Sequence, residues 1–489
     1  MPDPNWLRQR AYLTPDRIAL VAGDERWTFR DLHKRVESTV RRLATWGAVP
    51  GSRVALLMRN GLDFATFVFA GAPLGVELVL LNTRLTPTEI VWQLTDVQAS
   101  YLIYDQANAE NALTVAASLP ALQLASLPAF SQLAEADVPL RPEIDLQATH
   151  SIIYTSGTTG KPKGALLSFG NLWWSASDSA LNLGIHTDDI WLAVLPLFHV
   201  GGLSILIRSV IYGNTAILHE AFDPVAVNRA IDEQRVTMIS VVSTMLQRML
   251  DARGEKPYPP PLRCVLLGGG PAPQPLLEQC AARGIPVVQT YGLTETASQI
   301  ATLAPEEALR KLGSAGKPLF HAALKIEREG MQLPAGEIGE IVVSGPTVIS
   351  GYVNHAGAIH DGWLHTGDLG YVDAEGYLYI VSRRDDLIVS GGENVYPAEV
   401  EAVLLAHPAV EEAGVVGVPD AQWGQVPAAA IKLRIGSTLT VVEVQAFCAE
   451  RLARYKVPAH IWFVEALPRN AAGKLVRSAL LADWQGRDG

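Results

Sequence analysis

The sequence is poor in features that mark several protein classes. It has three cysteines in 489 residues, Cys264, Cys280 and Cys448. None forms a C-x-x-C pair, and one is left over if two bridge, so a reduced compartment is the simpler reading. Positive charge is in the minority: 39 Lys and Arg against 50 Asp and Glu give a net charge of −11. That balance argues against a surface for nucleic acid or anionic membrane. A long clean apolar run is also missing. The richest stretch, FATFVFAGAPLGVELVLL, contains Pro73, Gly75 and Glu77, whereas a membrane span wants about 20 uninterrupted apolar residues. A buried helix followed by a buried strand is expected there. The opening MPDPNWLRQRAYLTPD has no apolar signal core, so no export is expected. No short repeat or low-complexity tract interrupts the chain. These absences together lead to the expectation of a soluble, cytoplasmic protein without stable membrane insertion.

What is present is globular composition, 48% hydrophobic and 18% charged. A single core stops growing at roughly 250–300 residues, so two or more domains are expected. Leu32, Val36, Val40 and Leu43 recur at helical spacing, and Gly47 stands where that helix would stop. SRVALLM, ASYLIYD, TAILHE, VTMISVV, LRCVLLGGG and IPVVQTYG read as strands alternating with helices. Such alternation predicts an α/β chain of parallel or mixed sheets covered by helices. After about Gly313 the character changes to glycine-punctuated, alternating segments, GEIGEIVVSGP, GYVNHAG and GYVDAEGYLYIVSRRDD, which read as short strands with turns. After Asp385 it changes again. PAEVEAVLLAHP and VVEVQAFCAERLARY read as helices, VEEAGVVGVPD and PAAAIKL as strands. The expected division is a large domain, residues 1–384, and a small α+β domain, residues 385–489.

One loop concentrates phosphate-binding chemistry. YTSGTTGKPKG, Tyr154 to Gly164, offers backbone N–H groups, hydroxyls and lysines to anionic oxygens directly after the strand SIIY. It is not a Walker A loop. Only two residues separate Gly157 from Gly160, and Pro162 rather than Ser or Thr follows Lys161. Pro162 pushes Lys161 towards extended backbone. A flap over phosphates is expected rather than a helix N-terminus, with an ordinary solvated turn as the other reading.

Four more segments follow in order: YGLTET at Tyr291–Thr296, GWLHTGD at Gly362–Asp368, SRRDDLIVSGGENVYPAEVE at Ser382–Glu401 and PRNAAGK at Pro468–Lys474. With the loop, this set resembles the adenylate-forming superfamily of acyl-CoA synthetases, luciferases and peptide-synthetase adenylation domains. The resemblance covers nearly the whole chain. It implies a barrel-like subdomain within the large domain, and mobility of the small one. It also implies a two-step reaction: a carboxylate attacks the α-phosphate of ATP, then a thiol, usually coenzyme A, displaces AMP. PLFHVGGLSILIRSVIYG, LLGGGPAP, YGLTETASQIATL and KLGSAGKPLF further resemble the menaquinone-pathway branch of the superfamily, whose acid is 2-succinylbenzoate. The alternatives are another aryl or medium-chain acid, or loading of a carrier protein.

The roles that follow are carried over from the resemblance. Thr155, Ser156, Gly157, Thr158, Thr159 and Lys161 would contact the β- and γ-phosphates; Lys163 serves phosphate or solvent. Glu295 would hold the Mg²⁺ that travels with ATP, Thr294 would bond the α-phosphate, and Tyr291 with Gly269 would border the adenine. Asp368 would accept the ribose hydroxyls and Arg383 would add a ribose or phosphate contact; Ser382 replaces the usual glycine before that arginine. Lys474 would be the principal catalytic residue of adenylation, reaching carboxylate and α-phosphate from the mobile domain. Asp385 would be the hinge, and Gly391 and Gly392 would admit the pantetheine arm of coenzyme A. The partners implied are a small carboxylic acid, ATP and coenzyme A, with a homodimer among the open oligomeric states.

Two readings stand for each acyl-pocket candidate. Gly268, Gly269 and Gly270 would lie flat against an aromatic ring or form a tight strand-to-helix turn. His199 would gate the pocket or pack as a neutral core histidine. Arg208 interrupts the apolar run LSILIRSVIYG. It would pair with a second substrate carboxylate, directly or through water, or serve a structural or surface role.

Overall fold

The computed structural model describes residues 3–155, 162–270, 272–308, 310–354, 359–383, 386–390, 393–420, 423–452, 454–470 and 474–487. Two large sheets dominate the first part of the chain. One has six strands in the order Lys163–Ser168, Thr149–Thr155, Glu77–Leu80, Arg53–Leu57, Tyr101–Tyr104, Gln123–Ser126. It is parallel except at the Lys163–Ser168 edge. The other has nine strands, and Val287–Tyr291, Cys264–Leu267, Met238–Val241, Ile190–Ala193, Thr215–Leu218 and Ile18–Ala22 run parallel through its centre.

Both sheets are buried on both faces, which is why their strands read as continuous apolar runs. Along Arg53–Leu57, Val54 and Leu56 enter one core while Ala55 and Leu57 enter another. In the larger sheet, Trp191, Ala193 and Leu266 face the first of these cores; Leu192, Val265 and Leu267 face a third. The shared core therefore lies between the sheets. Helices Phe29–Thr45, Leu62–Leu74 and Val200–Tyr212 contribute Leu32, Phe64 and Leu203 to it. The apolar stretch that contains Pro73 is thus the expected buried helix followed by the strand Glu77–Leu80. No helix among the described residues is long and apolar enough to cross a membrane.

After residue 313 the chain forms an antiparallel sheet. Its order is Met331–Gln332, Ala323–Arg328, Gly339–Ser344, Trp363–Val372, Ile359–His360, with Leu378–Arg383 paired to Trp363–Val372. The expected strand in GYVNHAG is not formed in its described part, where Tyr352 makes only an isolated bridge to Ala165. The last part folds on a five-stranded sheet centred on Val410–Asp420 and Gly424–Leu433, with helices Pro397–Leu405 and Val441–Ala449. That second helix stops short of the expected Tyr455. The Cys448 carbonyl accepts from the backbone N–H of Arg451 and of Leu452, which tightens the end, and Arg454–Lys456 is a separate 3₁₀ turn.

Candidate active site

A cavity of about 550 Å³ opens where the carboxyl ends of the parallel strands meet the other sheets. Crevices at strand carboxyl ends are the usual ligand sites of open α/β sheets. Ser240, Val241 and Val242 line it from the end of Met238–Val241, Gly268 and Gly269 from the end of Cys264–Leu267, and Thr290 to Glu295 from the end of Val287–Tyr291, except Tyr291. Thr155 reaches it from the six-stranded sheet, and His365, Thr366 and Gly367 from the antiparallel sheet. Asn470 and Lys474 close it from the C-terminal part. Four separate sheets or domains thus converge on one space.

Glu295 is the acidic centre. Its Oε1 accepts from Thr155 Oγ1 at 3.0 Å and from Tyr352 OH at 3.0 Å, two hydroxyls brought from different segments. Burial and the Glu295 carboxylate push the Tyr352 phenol far up, so it stays a donor. Lys163 Nζ lies 5.7 Å from the Tyr352 ring centroid and also lines the cavity. Among the described residues no group of three or more His, Cys, Asp and Glu could hold a metal ion. A Mg²⁺ here would take carboxylate oxygen from Glu295 and fill its remaining positions with water and phosphate oxygens, as this ion commonly does.

Lys474 lines the cavity beside Asn470; its N–H donates to Asn470 Oδ1 at 2.9 Å and its carbonyl accepts from the Asn470 N–H at 2.8 Å. Its charge reaches His199, which also lines the cavity; burial first, then Lys474 and Arg84, lower the His199 pKa to about 4. His199 is neutral at ordinary pH, and its Nε2 is shut off from solvent with no hydrogen-bond partner among the described residues. Asn60 fixes the preceding loop by donating to the Leu195 carbonyl at 2.9 Å and accepting from the Leu197 N–H at 2.8 Å. Gly202 is required two residues into the next turn, since a Cβ there would stand 2.3 Å from the Pro196 carbonyl oxygen.

Residues 7–353 match the AMP-binding enzyme family, and residues 399–474 match the AMP-binding enzyme C-terminal domain. The chain belongs to the AMP-binding enzyme family. The 2-succinylbenzoate–CoA ligase of Geobacillus kaustophilus is 54% identical over 98% of this chain and 97% of its own. Two solved structures of o-succinylbenzoate CoA synthetase from Bacillus subtilis superpose closely. That with the acyl-adenylate intermediate has a TM-score of 0.93 at 47% identity, covering 98% of each chain. That with ATP and magnesium ion has a TM-score of 0.92 at 46% identity, covering 98% of this chain and all of the other.

Within this AMP-binding enzyme the expected site residues distribute unevenly. Thr155, His199, Gly268, Gly269, Thr294, Glu295 and Lys474 line the cavity. Tyr291 and Asp368 lie beside it, joined by a 2.7 Å bond from the phenol to the carboxylate. The Asp368 backbone pairs with Arg383, whose side chain lies outside the described residues, as do Ser156, Gly157, Thr158, Thr159, Lys161, Asp385, Gly391 and Gly392. Gly270 does not line the cavity. Nor does Arg208, which is 1% exposed, donates to Ser175 Oγ at 3.2 Å and lies 5.6 Å from the Trp191 ring centroid. Desolvation by burial lowers its pKa. No carboxylate of the described residues lies within salt-bridge distance of it.

The sequence reading missed Tyr352, whose GY dipeptide looks like strand punctuation. It also missed Ser204, Ser240, Thr290 and Gln299, which line the cavity. Gln299 is 1% exposed, and neither amide atom has a partner among the described residues.

Proposed function

We propose that this protein is an ATP-dependent, AMP-forming acid–CoA ligase that converts 2-succinylbenzoate to its CoA thioester. The observation that carries the reading is that Lys474 and Glu295 line one cavity assembled from four parts of the fold. A substrate carboxylate oxygen attacks the α-phosphorus of ATP, the bond to the β-phosphate oxygen breaks, and pyrophosphate leaves. The ammonium of Lys474 offsets repulsion between the two anions as they approach. Magnesium supplies charge neutralisation to the phosphates, and Glu295, held by Thr155 and Tyr352, is the group to bind it. In the second step the thiol sulfur attacks the acyl carbonyl and AMP departs.

The acyl end fits an aromatic diacid. Ser204, Ser240, Thr290 and Gln299 offer neutral polar groups, while Gly268 and Gly269 present bare backbone to a flat ring. A second carboxylate can be bound there by neutral donors, with the buried charge of Arg208 one helical turn beyond Ser204. The remaining assignments belong to the same reading. The loop 156–161 binds the terminal phosphates, Asp368 and Arg383 the ribose, and Gly391 and Gly392 the pantetheine arm. Domains 1–384 and 385–489 turn about Asp385 between the steps. A cytoplasmic location suits an enzyme using ATP and CoA. A homodimer is the oligomeric form to test by light scattering.

The deciding experiment is pyrophosphate release with ATP and Mg²⁺ over a panel of acids, with and without CoA. Release with 2-succinylbenzoate well above benzoate and octanoate, and a thioester detected by mass, is expected. Arg208→Met should narrow the preference for 2-succinylbenzoate over benzoate. Release with another acid overturns the substrate, and release with none overturns the ligase reading.

A further inference from the structure

The turn Gly292–Gln299 carries Thr294 and Glu295 at one end and Ser298 and Gln299 at the other, and all four line the cavity. Its backbone is strained where it reverses: Ala297 has φ +50° and Ser298 φ +104°, both side-chain-bearing residues. The turn folds back so closely that a Cβ on Gly292 would stand 1.6 Å from the Ser298 carbonyl oxygen. Part of the closure is internal. The Thr296 hydroxyl accepts from the Leu293 N–H at 2.8 Å and donates to the Ser298 carbonyl at 2.9 Å. The Ala297 N–H donates to the Thr294 carbonyl and the Ser298 N–H to the Leu293 carbonyl.

From outside, the Ile349 N–H donates to the Glu295 carbonyl at 2.9 Å, Thr155 and Tyr352 hold the Glu295 carboxylate, and a further restraint acts at the reversal. Ser175 Oγ donates to the Ala297 carbonyl at 2.6 Å, at the point of positive φ. The same oxygen accepts from Arg208 Nη2 at 3.2 Å. Ser175, Ala297 and Arg208 are all buried. Ser175 sits on the helix Phe169–Leu183, which is itself fixed. Ser168 and Asn171 cap its start reciprocally, and Asn171 Nδ2 donates to the Pro346 carbonyl at 3.0 Å and the Val348 carbonyl at 2.9 Å. A serine hydroxyl has one hydrogen to give. With a guanidinium N–H directed at its lone pair, that hydrogen is committed to Ala297.

We propose that Ser175, oriented by Arg208, is a positioning residue that clamps the strained turn and so sets Thr294 and Glu295 against the nucleotide and Ser298 and Gln299 against the acid. This inference rests on Glu295 being the magnesium-binding carboxylate.

The test is Ser175→Ala in the full chain, alone and combined with Ala297→Gly. Amide hydrogen exchange over residues 293–300 is read without any substrate. Pyrophosphate release is read against Mg²⁺ and acid concentration. In Ser175→Ala, the Ala297 and Ser298 amides exchange faster. There, kcat falls about tenfold, the size expected for one lost buried hydrogen bond. The Mg²⁺ concentration for half-activity and KM for the acid both rise severalfold, since the released turn carries Glu295 on one side and Ser298 and Gln299 on the other. Glycine adopts positive φ without strain, so adding Ala297→Gly restores most of kcat. Unchanged exchange and Mg²⁺ dependence in Ser175→Ala overturns the clamp, as does a loss that Ala297→Gly leaves unrepaired. Faster exchange in a protein whose wild type releases no pyrophosphate upholds the clamp and overturns the function assigned to the site.

Discussion

Tyr352→Phe removes one hydroxyl and leaves the ring in place. The lost bond is a 3.0 Å donation to Glu295 Oε1, the oxygen that also takes Thr155. Hydrogen bonds to charged groups contribute about 1.5–3 kcal/mol. Tyr352 is only partly buried, and water can replace part of the bond, so the lower end applies: about 1.5 kcal/mol, or roughly tenfold in rate at about 1.4 kcal/mol per tenfold. The loss should appear in kcat and in the Mg²⁺ concentration for half-activity, since the carboxylate is held less firmly where the cation binds. KM for the acid should move by less than about twofold, because Tyr352 acts at the magnesium and not at the acyl end. Thr155→Val should have a similar effect. The double variant should lose less than the product of the two, because neighbours sharing one acceptor couple. The assay is continuous pyrophosphate release at fixed ATP over a Mg²⁺ series. A Tyr352→Phe enzyme within twofold of wild type in both quantities refutes the assignment of Glu295 as a carboxylate held for magnesium.

Lys474→Ala should lower acid-dependent pyrophosphate release about 10²- to 10³-fold, as when one preorganised charge-stabilising donor is removed. It should leave thioester formation from supplied acyl-adenylate within severalfold, as a two-channel assay can check. Asp385→Pro should do the reverse, keeping pyrophosphate release and losing the thioester; equal loss of both rejects the hinge. His150 is buried, with Nε2 3.1 Å from the Val68 carbonyl, and burial lowers its pKa to about 4 from 6.5. The folded state therefore favours the neutral ring. Its contribution to stability is fully present above pH 6.5 and is lost as pH falls towards 4. Urea unfolding at pH 7, 5.5 and 4.5 should show that loss, less steeply in His150→Gln, which keeps an amide donor.

Several central strands of both large sheets were legible because they are buried on two faces, whereas Ile190–Ala193 and the exposed edge strands Glu25–Thr28 and Gln123–Ser126 were not read. Val54 and Ala55, or Leu266 and Val265, are apolar neighbours that enter opposite cores. A continuous apolar run is the mark of such a strand, and no pairing order is needed to see it. The pairing order was not legible. The nine-stranded sheet places Ile18–Ala22 beside Thr215–Leu218, two segments about two hundred residues apart, and nothing local in either records that neighbour. The overextended helix after Val441 failed for a local reason. ERLAR continues a helical composition, yet successive N–H groups converge on the Cys448 carbonyl and end it.

Residues that line or border the cavity were picked out where a short segment resembles a family motif, as LTET, HTGD and NAAGK do, and were missed where segments converge only in the fold. Tyr352 acquires its role only because a strand edge carrying Thr155 and a 3₁₀ turn carrying Glu295 meet beside it. Arg208 shows the opposite failure. A charge inside an apolar run was read as demanding an anionic partner. The partner among the described residues is the hydroxyl of Ser175, which passes the restraint to the Ala297 carbonyl in the turn that holds Glu295. A buried cation that donates to one neutral oxygen keeps much of its field. That places Arg208 where it can both orient the turn and favour an anionic acid in the neighbouring cavity. The two roles predict different kinetic signatures, Mg²⁺ dependence for the first and acid preference for the second, so one set of variants can separate them.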